Sequence, residues 1–476
     1  MNILYAASEV VPFCKTGGLA DVAGSLPNAL AESGANVAVI LPYYKIVHEK
    51  FAGQLQFMGY EYIKLSWRHA YCGLFKYVMG NVTYYFIDNE FYFNRDKLYG
   101  YNDDIERFAF FSRAIVSMLK NLDVMPDVIN FNDWQTSLIP AYLKMDAYED
   151  ESLANIRTGL TIHNIEYQGK TGLGDKSFVI GLADTCMDYG QYEFDGCLNL
   201  LKGAMVTADA ITTVSPSYAQ ELITPAYGQG LEGILEHNEY KFYGVLNGID
   251  VDRYNPYTDK LIVENFTADT LEKRAKNKAA LQEALGLEVN PDIPVIGMVS
   301  RMVAHKGLDL VVEAFQGIMD LGAQVAILGQ GDAEYEDFYK TWAQARPQQV
   351  GLTIGYSDQL AMAIYSGSDL FLMPSKTEPC GLSQMIAMRY GSVPIVREVG
   401  GLADTVAPYQ PGVAIGNGFT FANYNSHDMY HVIGEAIGLY KDNKEDFAKI
   451  MKHDMEEDFS WNKSAQDYLR IYQSLL

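Results

Sequence analysis

The chain has 476 residues, of which 36 are Lys or Arg and 60 are Asp or Glu, so its formal net charge is −24 at pH 7. A surface this acidic repels nucleic-acid phosphates and anionic lipid, which argues against nucleic-acid and membrane binders. With 49% hydrophobic and 20% charged residues, the composition is typical of a soluble, folded protein, and the length suggests two or three domains. No apolar stretch approaches the roughly 18 residues that a membrane helix requires.

The cysteine content indicates a reducing compartment. The five cysteines are an odd number, lie far apart and form no C-x-x-C pair that could hold zinc or cycle a disulfide. We therefore expect a cytoplasmic protein. The cysteines are Cys14, Cys72, Cys186, Cys197 and Cys380.

In the first half of the chain, short apolar runs alternate with helix-like segments. Continuous apolar runs are typical of strands covered on both faces, so this half is predicted to be α/β with a parallel sheet. Strands are predicted over residues 3–7, 37–41, 127–131, 159–162 and 210–214, and helices over 21–33 and 105–122 and from Thr136 and Leu198.

The alternation pauses at Asn247-Gly248, and turn residues follow at 254–258 before a polar helix over 270–285. We place the domain junction there, between an N-terminal domain of residues 1–247 and a C-terminal domain of residues 248–460. The pattern then restarts, with strands over 295–300, 324–328, 350–354, 370–373 and 393–396 and helices from Leu308, Glu334 and Gly381. The last segment, 461–476, has an apolar stripe and is predicted to be a packed helix.

Two similar α/β halves predict two Rossmann-like, doubly wound domains. The sequence Gly-Gly-Leu-Ala-Asp occurs both at 17–21 and at 400–404, which is consistent with related halves. Ligands of doubly wound sheets bind beyond the carboxyl ends of the strands. The predicted site is therefore an interdomain cleft.

Two loops carry cations after the first strand of each half. Lys15 precedes two glycines and a helix, an arrangement that suits an anion but also describes an ordinary βα turn. Arg301 and Lys306 occupy the equivalent place in the second half, where they could clamp a diphosphate or be solvated loop charges. Neither loop is a dinucleotide fingerprint or a Walker loop, which excludes a nicotinamide dehydrogenase.

Three further strand ends carry candidate residues. Glu378 follows a buried strand and precedes a helix, so it is either a catalytic acid or charge stabiliser, or a residue that merely complements the helix dipole. His163 ends an apolar strand and is either functional or structural. Asp250 and Asp252 form a D-x-D, but no Cys or His cluster accompanies them and they follow an Asn-Gly turn, so we predict no metal site. The aromatic run at 84–101 is predicted mainly to pack.

Seven segments together resemble the bacterial glycogen synthase and plant starch synthase family, the retaining transferases that use ADP-glucose. The segments occur in the family's order across nearly the whole chain, and this collinearity is more specific than any one motif. They are Lys-Thr-Gly-Gly-Leu-Ala-Asp-Val at 15–22, Asn-Asp-Trp at 132–134, Thr-Ile-His-Asn at 161–164, Thr-Val-Ser-Pro at 213–216, Asn-Gly-Ile-Asp at 247–250, Ser-Arg at 300–301 with Lys-Gly-Leu-Asp at 306–309, and Glu-Pro-Cys-Gly-Leu at 378–382.

The resemblance implies a GT-B fold in which the closing helix, 461–476, returns to the N-terminal domain. It implies transfer of glucose from ADP-glucose to the non-reducing-end 4-hydroxyl of an α-1,4-glucan, with glycogen or malto-oligosaccharide as acceptor and with no metal or other cofactor. It assigns catalytic roles to Lys15, His163, Arg301, Lys306 and Glu378. It also implies donor contacts from Gly18, Asp21, Asp133, Asn164, Asn247, Tyr356, Cys380, Gly381, Leu382 and Ser383.

The chain departs from the family's pattern at three positions. Asn130 stands where the family usually has His, Tyr254 stands where it has Trp after the hinge, and Ile386 stands where many related transferases have a second Glu. A covalent route would need a carboxylate on the opposite face of the sugar, and the sequence offers no strong candidate. We therefore expect same-face attack by the acceptor, with cations stabilising the departing nucleotide.

Two alternatives stay open at this point. One is a related glucosyltransferase that uses UDP-glucose, because the sequence does not fix the base. The other is a nonenzymatic glucan-binding protein, against which the joint presence of Lys15, His163, Arg301, Lys306 and Glu378 argues.

Overall fold

The structure is a computed structural model that describes residues 1–182, 190–412 and 416–476. The described chain divides into two compact units: Met1–Asn247 together with Trp461–Leu476, and Gly248–Ser460. Within these ranges, no helix is both long and apolar enough to cross a bilayer. Cys186 lies outside the described residues, whereas Cys14, Cys72 and Cys197 are thiols.

The first unit is built on a nine-stranded sheet with the order β12-β11-β7-β6-β1-β2-β5-β4-β3. Neighbouring strands are parallel from β12 to β5. The strands are β1 (Asn2–Ala6), β2 (Asn36–Pro42), β3 (Gln56–Leu65), β4 (Arg68–Met79), β5 (Val82–Asp88), β6 (Val128–Asn132), β7 (Arg157–Ile162), β11 (Ala210–Thr213) and β12 (Phe242–Gly244). A separate small sheet contains β8 (Lys170–Thr171), β9 (Glu193–Phe194) and β10 (Cys197–Asn199).

Helices of the first unit connect these strands, and the parallel strands are almost wholly buried because they are covered on both faces. The helices are α1 (Gly18–Glu32), α2 (Lys45–Phe51), α3 (Glu90–Phe93), α4 (Asp104–Met118), α5 (Ile139–Asp146), α6 (Leu200–Thr207), α7 (Pro216–Leu222) and α8 (Glu232–His237). The helix expected from Thr136 begins only at Ile139, after a 3-10 turn at Trp134–Thr136.

One part of the first unit differs from the expected all-parallel sheet. Strands β3 and β4 form an antiparallel hairpin, and β4 also pairs antiparallel with β5. Tyr60 and Tyr62 on β3 are exposed, so this edge lacks the continuous buried run by which the other strands were predicted. In the aromatic run 84–101, most of the rings are buried as expected, although Phe91 is exposed.

The second unit is built on a six-stranded parallel sheet with the order β15-β14-β13-β16-β17-β18. The strands are β13 (Val295–Val299), β14 (Gln324–Gly329), β15 (Val350–Ile354), β16 (Leu370–Met373), β17 (Val393–Arg397) and β18 (Phe419–Phe421). The helices are α9 (Arg274–Ala284), α10 (Leu308–Asp320), α11 (Ala333–Ala345), α12 (Asp358–Gly367), α13 (Ser383–Arg389), α14 (Gly400–Thr405), α15 (Ser426–Asp442) and α16 (Lys444–Glu456). Both halves are thus doubly wound α/β units.

The last helix, α17 (Trp461–Leu475), belongs to the first unit and packs against α1. Its apolar stripe explains the packing, since Ala465, Tyr468 and Tyr472 have no exposed surface. Ser464 also donates a hydrogen bond to the carbonyl oxygen of Leu246, just before the junction of the two units.

Candidate functional site

The candidate residues of the first unit follow the carboxyl ends of three adjacent parallel strands. Lys15 lies between β1 and α1, Asp133 directly follows β6, and His163 directly follows β7. Because β1, β6 and β7 are neighbours in the sheet, these strand ends share one edge. That edge is where doubly wound sheets bind ligands.

The loop that contains Lys15 is held by two carboxylates. Lys15 is exposed, and its Nζ lies 2.7 Å from a carboxylate oxygen of Asp21 in the first turn of α1. Glu9 is 4% exposed and accepts hydrogen bonds from the Thr16 hydroxyl at 2.8 Å and from the backbone amides of Thr16 and Gly17. Burial raises the pKa of the Glu9 carboxyl.

The Glu9 contacts show where two backbone amides of this loop point. The loop was expected either to present helix amides and Lys15 to an anion or to be an ordinary βα turn, and the amides of Thr16 and Gly17, which precede the helix, face Glu9. Gly18 starts α1 with open space around its Cβ position, so a ligand could approach the backbone there. The sequence signal for Glu9 was available, since it is an ionisable residue three positions after an apolar strand.

Asp133 connects the ends of β6 and β7. Its backbone has φ = +55°, a conformation that few non-glycine residues adopt. Its Oδ1 accepts the backbone N–H of His163 at 2.7 Å, and its own backbone N–H donates to the carbonyl of Thr161 at 3.0 Å. Burial dominates over these bonds and raises the pKa of Asp133 to about 7.

His163 is half-buried, and burial lowers the pKa of its imidazole to about 3. Its Nε2 lies 2.8 Å from the Oδ1 of Asn132, the last residue of β6. Burial thus favours the neutral ring, which suits a hydrogen-bonding role. Asn132 was not singled out as a site residue in the sequence.

Two predicted sugar-binding asparagines belong to the first unit as well. Asn164 follows His163, and its Oδ1 accepts the amide of Glu166 at 3.0 Å. Asn247 is 4% exposed, and its backbone N–H donates to the carbonyl oxygen of Val214 at 3.2 Å. The Oδ1 of Asn247 is buried and has no hydrogen-bond partner among the residues that the structure describes.

In the second unit, Lys306 and Glu378 form an ion pair at adjacent strand ends, those of β13 and β16. The Nζ of Lys306 lies 2.7 Å and 3.0 Å from the two oxygens of Glu378. Glu378 is 6% exposed and also accepts the Ser375 hydroxyl at 2.9 Å. Arg301 lies in the same loop as Lys306 and is exposed.

Two glycines allow the chain to build this ion pair. Gly307 has φ = +72°, and a Cβ there would lie 1.9 Å from the carbonyl oxygen of Pro374. Gly400 has φ = +47°, and a Cβ there would lie 2.0 Å from the carbonyl oxygen of Glu378. Only glycine permits these approaches. The second copy of the Gly-Gly-Leu-Ala-Asp sequence therefore supports the segment of Glu378.

The other predicted donor contacts of this unit come before and after the Lys306–Glu378 pair's carboxylate in the chain, at Tyr356 and at residues 380–383. Cys380, Gly381 and Leu382 lead into α13, which begins at Ser383 and not at Gly381 as expected. Gln384 orders this turn by donating to the carbonyls of Cys380 at 3.1 Å and Gly381 at 2.9 Å. Tyr356 is 72% exposed, and its hydroxyl donates to Asp358.

A pocket of about 390 Å³ opens in the first unit, between α4 and the segments that follow β6 and β7. It combines aromatic rings with carboxylates and amides, a mixture that suits a neutral polyol. Its lining residues are Asp104, Ile105, Trp134, Glu166, Tyr167, Gln168, Gly169 and Lys170.

The D-x-D segment has a structural role. The Oδ1 of Asp250 accepts the backbone amides of Asp252 at 3.1 Å and Arg253 at 3.0 Å, which is a turn-capping arrangement. Over residues 1–182, 190–412 and 416–476, no group of three or more His, Cys, Asp or Glu side chains is arranged to hold a metal ion.

Known protein families match each of the two units of the chain. The starch synthase catalytic domain family matches residues 2–237, and the group 1 glycosyl transferases match residues 286–452. A glycogen synthase of Desulforamulus reducens is 45% identical over 476 residues, which is 100% of this chain and 99% of that one.

Two solved structures have the same fold as this chain. The catalytic domain of starch synthase IV from Arabidopsis thaliana, bound to ADP and acarbose, superposes with a TM-score of 0.91 at 33% identity over 99% of both chains. Sucrose-phosphate synthase from Thermosynechococcus elongatus shares the fold, with a TM-score of 0.59 at 17% identity over 100% of this chain and 98% of that one.

Two doubly wound units with polar groups at their strand ends, together with these superpositions, define a GT-B glycosyltransferase. The chain belongs to the family of bacterial glycogen synthases and plant starch synthases, the retaining glucosyltransferases that use ADP-glucose.

Proposed function

We propose that this chain extends α-1,4-glucan by transferring glucose from ADP-glucose to a non-reducing-end 4-hydroxyl, with retention of configuration, in the cytoplasm. The observation that carries the proposal is the half-buried Lys306–Glu378 pair at the strand ends of the second unit. The superposed starch synthase is bound to ADP and acarbose, which supports a nucleotide-sugar donor and a glucan acceptor for this chain. The thiols of Cys14, Cys72 and Cys197 suit the reducing cytoplasm.

The roles of the residues follow from where charge develops. Breaking the bond between the anomeric carbon and phosphate leaves negative charge on the nucleotide and positive character on the sugar. Arg301 and Lys306 are proposed to stabilise the departing diphosphate, and Glu378 to stabilise the sugar and to orient Lys306 at 2.7 Å. Lys15 and Gly18 are proposed to contact the same donor, a role that rests on the family resemblance.

The remaining donor contacts are assigned in the same way. His163, Asn164 and Asn247 are proposed to bind the hydroxyls of the transferred glucose. The unpartnered Oδ1 of Asn247 and the neutral ring of His163 support this, because sugar hydroxyls need uncharged acceptors as well as donors. Tyr356 is proposed to lie beside the adenine, and the segment from Cys380 to Ser383 along the donor. Asp21 and Asp133 are proposed to hold the loops that carry these contacts.

The acceptor glucan is proposed to enter the pocket lined by Trp134 and Tyr167. Aromatic faces pack against the apolar faces of sugar rings, while Asp104 and Glu166 can accept hydrogen bonds from hydroxyls. Attack from the same face as the leaving group is proposed, since Ile386 stands where related transferases place a second carboxylate.

Incorporation of labelled glucose into glycogen by the purified chain tests this function. We expect incorporation from ADP-glucose at a rate at least about tenfold higher than from UDP-glucose, a difference of about 1.4 kcal/mol in transition-state binding. Faster transfer from UDP-glucose would favour the related UDP-glucose transferase. Absence of transfer from either donor, with glucan binding retained, would favour a nonenzymatic glucan-binding protein.

A further inference from the structure

The side chain of Asn132 has a single possible orientation. Its Nδ2 lies 2.9 Å from the backbone carbonyl oxygen of Ala6, which can only accept a hydrogen bond. The same Nδ2 lies 3.2 Å from the Oδ1 of Asn130. The amide of Asn132 is fully buried, so these bonds cannot be exchanged for water. Its Oδ1 must therefore face the opposite way.

Asn130 strengthens this orientation. Its Nδ2 donates to the hydroxyl of Thr161 at 2.9 Å and lies 3.3 Å from the carbonyl of Gly159, so its own Oδ1 is left to accept from Asn132. The hydroxyl of Thr161 is in turn bonded to that of Thr212 at 2.8 Å. This buried chain spans β6, β7 and β11 and fixes both amides.

The Oδ1 of Asn132 has two neighbours, the hydroxyl of Tyr5 at 2.9 Å and the Nε2 of His163 at 2.8 Å. An amide oxygen only accepts hydrogen bonds. The proton of the neutral imidazole must therefore lie on Nε2, which leaves Nδ1 with its lone pair. Within the described part of the chain, Nδ1 of His163 has no hydrogen-bond partner.

We propose that Asn132 is a positioning residue that holds His163 as the neutral Nε2–H tautomer, so that Nδ1 is offered to the donor sugar solely as a hydrogen-bond acceptor. The proposal rests on the proposed function in one respect, namely that His163 contacts the glucose. It goes beyond that function by assigning the direction of the hydrogen bond and the residue that sets it. A sugar hydroxyl then donates to Nδ1, and the ring carries out no proton transfer.

Among the described residues, the titratable groups around His163 do not bond its ring, so Asn132 sets which nitrogen carries the proton. Asp133 accepts the backbone N–H of His163 and does not bond its ring, and the charge of Glu9 contributes to the raised pKa of Asp133. Tyr5 on β1 and Tyr218 on α7 have pKa values raised by burial, so they stay neutral. Tyr468 and Tyr472 on α17 are buried beyond Tyr5. No carboxylate among the described residues bonds the imidazole.

Nitrogen-15 NMR of the histidine-labelled full chain tests the tautomer directly, and the signal of His163 is assigned by its loss in His163→Gln. We expect the Nε2–H pattern between about pH 5.5 and about pH 8. In Asn132→Asp a carboxylate replaces the amide, so we expect an imidazolium signal that titrates within this range. In Asn132→Leu we expect the pure Nε2–H pattern to be lost. Asn36 lies at the amino ends of the parallel strands, opposite the site, where its side chain bonds Asn2. Asn36→Leu is therefore the control and should leave the signal unchanged.

The rates complete the test. We expect Asn132→Leu to lower kcat about tenfold, the equivalent of one hydrogen bond made in the transition state, with circular dichroism unchanged. Asn132→Asp, which keeps the shape of the side chain, should show a kcat that varies with pH as the imidazolium signal does. An Nδ1–H pattern or an imidazolium in the wild-type chain would overturn the proposal, as would full kcat in both variants. Absence of glucose transfer by the wild type would instead reject the proposed function and leave the tautomer measurable.

Discussion

Glu378 shows how a single residue links the fold to the chemistry. Its carboxylate is almost fully buried, is paired with the ammonium group of Lys306 and accepts a hydrogen bond from the Ser375 hydroxyl. A buried carboxylate with two such partners is expensive to maintain for stability alone, because desolvation offsets most of the ionic attraction. When a donor diphosphate binds Lys306, the lysine stabilises the departing phosphate and Glu378 is left to stabilise the positive character that develops on the sugar.

We therefore expect Glu378→Ala to lower kcat about 10²-fold or more, since preorganised charge is lost from the transition state. The kcat for transfer from ADP-glucose, measured beside circular dichroism, checks this. The matched control is Glu398→Ala, which removes an exposed carboxylate from the end of the neighbouring strand and should leave kcat unchanged. A Glu378→Ala enzyme with near-normal kcat would remove Glu378 from the mechanism.

Asp133 makes a second prediction at this scale, on stability. Its folded-state pKa is raised to about 7 from the ordinary value of 3.8, so the folded state favours the protonated form. The resulting stabilisation is full below about pH 4 and is lost as pH rises to about 7. Asp133→Asn mimics the protonated form and keeps an oxygen that can accept the amide of His163.

The variant should therefore be more stable than the wild type, by an amount that grows from about pH 4 to about pH 7 and then levels off. Each pKa unit corresponds to about 1.4 kcal/mol. Thermal unfolding at about pH 5 and about pH 8 measures the difference. Asp96→Asn is the control, because Lys45 lowers the pKa of that exposed carboxyl and no gain is expected. A difference that is the same at both pH values would contradict the assignment.

At the scale of secondary structure, the parallel strands were predictable because each is a short, continuous apolar run. Strands β15 and β16 have the expected bounds, β13 ends one residue earlier than expected, and β1, β2 and β6 differ by one residue at each end. Helix ends were less predictable. Residues 119–121 form a 3-10 turn and not the last turn of the expected helix. Such ends depend on tertiary packing more than on periodicity.

The β3–β4 hairpin could not be predicted in the same way. Its two-residue turn contains Ser66 with φ = +57° and has no Asn-Gly or Asp-Gly signal. Its outward side chains include exposed tyrosines in place of the polar residues that mark a half-buried strand. Neither the turn nor the alternation therefore distinguished it from a loop.

The site was predictable where charge stands at a strand end, and less so where burial decides the role. Lys15, Arg301, Lys306 and Glu378 stood out because they are charged residues beside glycines or buried strands. Asn132 did not, because its role depends on Ala6 of β1 and on His163 after β7, which meet it from the two neighbouring strands. Sequence spacing contains no signal for such a convergence.

The prediction at the scale of secondary structure concerns the packing of the last helix, α17. Tyr472 on α17 is fully buried against the first unit, and its hydroxyl has no hydrogen-bond partner in the described ranges. Tyr472→Phe should therefore leave the free energy of unfolding unchanged or raise it, because it removes an unsatisfied polar atom. Tyr472→Ala should lower it by about 3 kcal/mol through the cavity that it creates.

Chemical denaturation of the two variants checks this pair of expectations. The exposed neighbour Gln473→Ala serves as the control and should change little. A loss in Tyr472→Phe as large as that in Tyr472→Ala would show that the hydroxyl, and not the ring, holds the helix.

At the scale of the whole molecule, the central claim is that the protein's own cations stabilise the leaving diphosphate, and it is based on the distribution of charge. A chain of net charge −24 repels anions in general, yet its proposed donor is a nucleoside diphosphate sugar. Binding then depends on cations placed at the strand ends. Lys306 fits this role because Glu378 orients it at 2.7 Å.

The most direct test is the kcat for labelled-glucose transfer from ADP-glucose to glycogen in excess EDTA, compared between the wild type, Lys306→Ala and Lys376→Ala. Lys376 is an exposed lysine two residues before Glu378 and is the matched control. We expect the wild type and Lys376→Ala to work at equal rates with the chelator present, and Lys306→Ala to lose about 10²-fold in kcat. Loss of wild-type transfer in EDTA, or an undiminished kcat in Lys306→Ala, would contradict stabilisation of the leaving diphosphate by the protein's own cations.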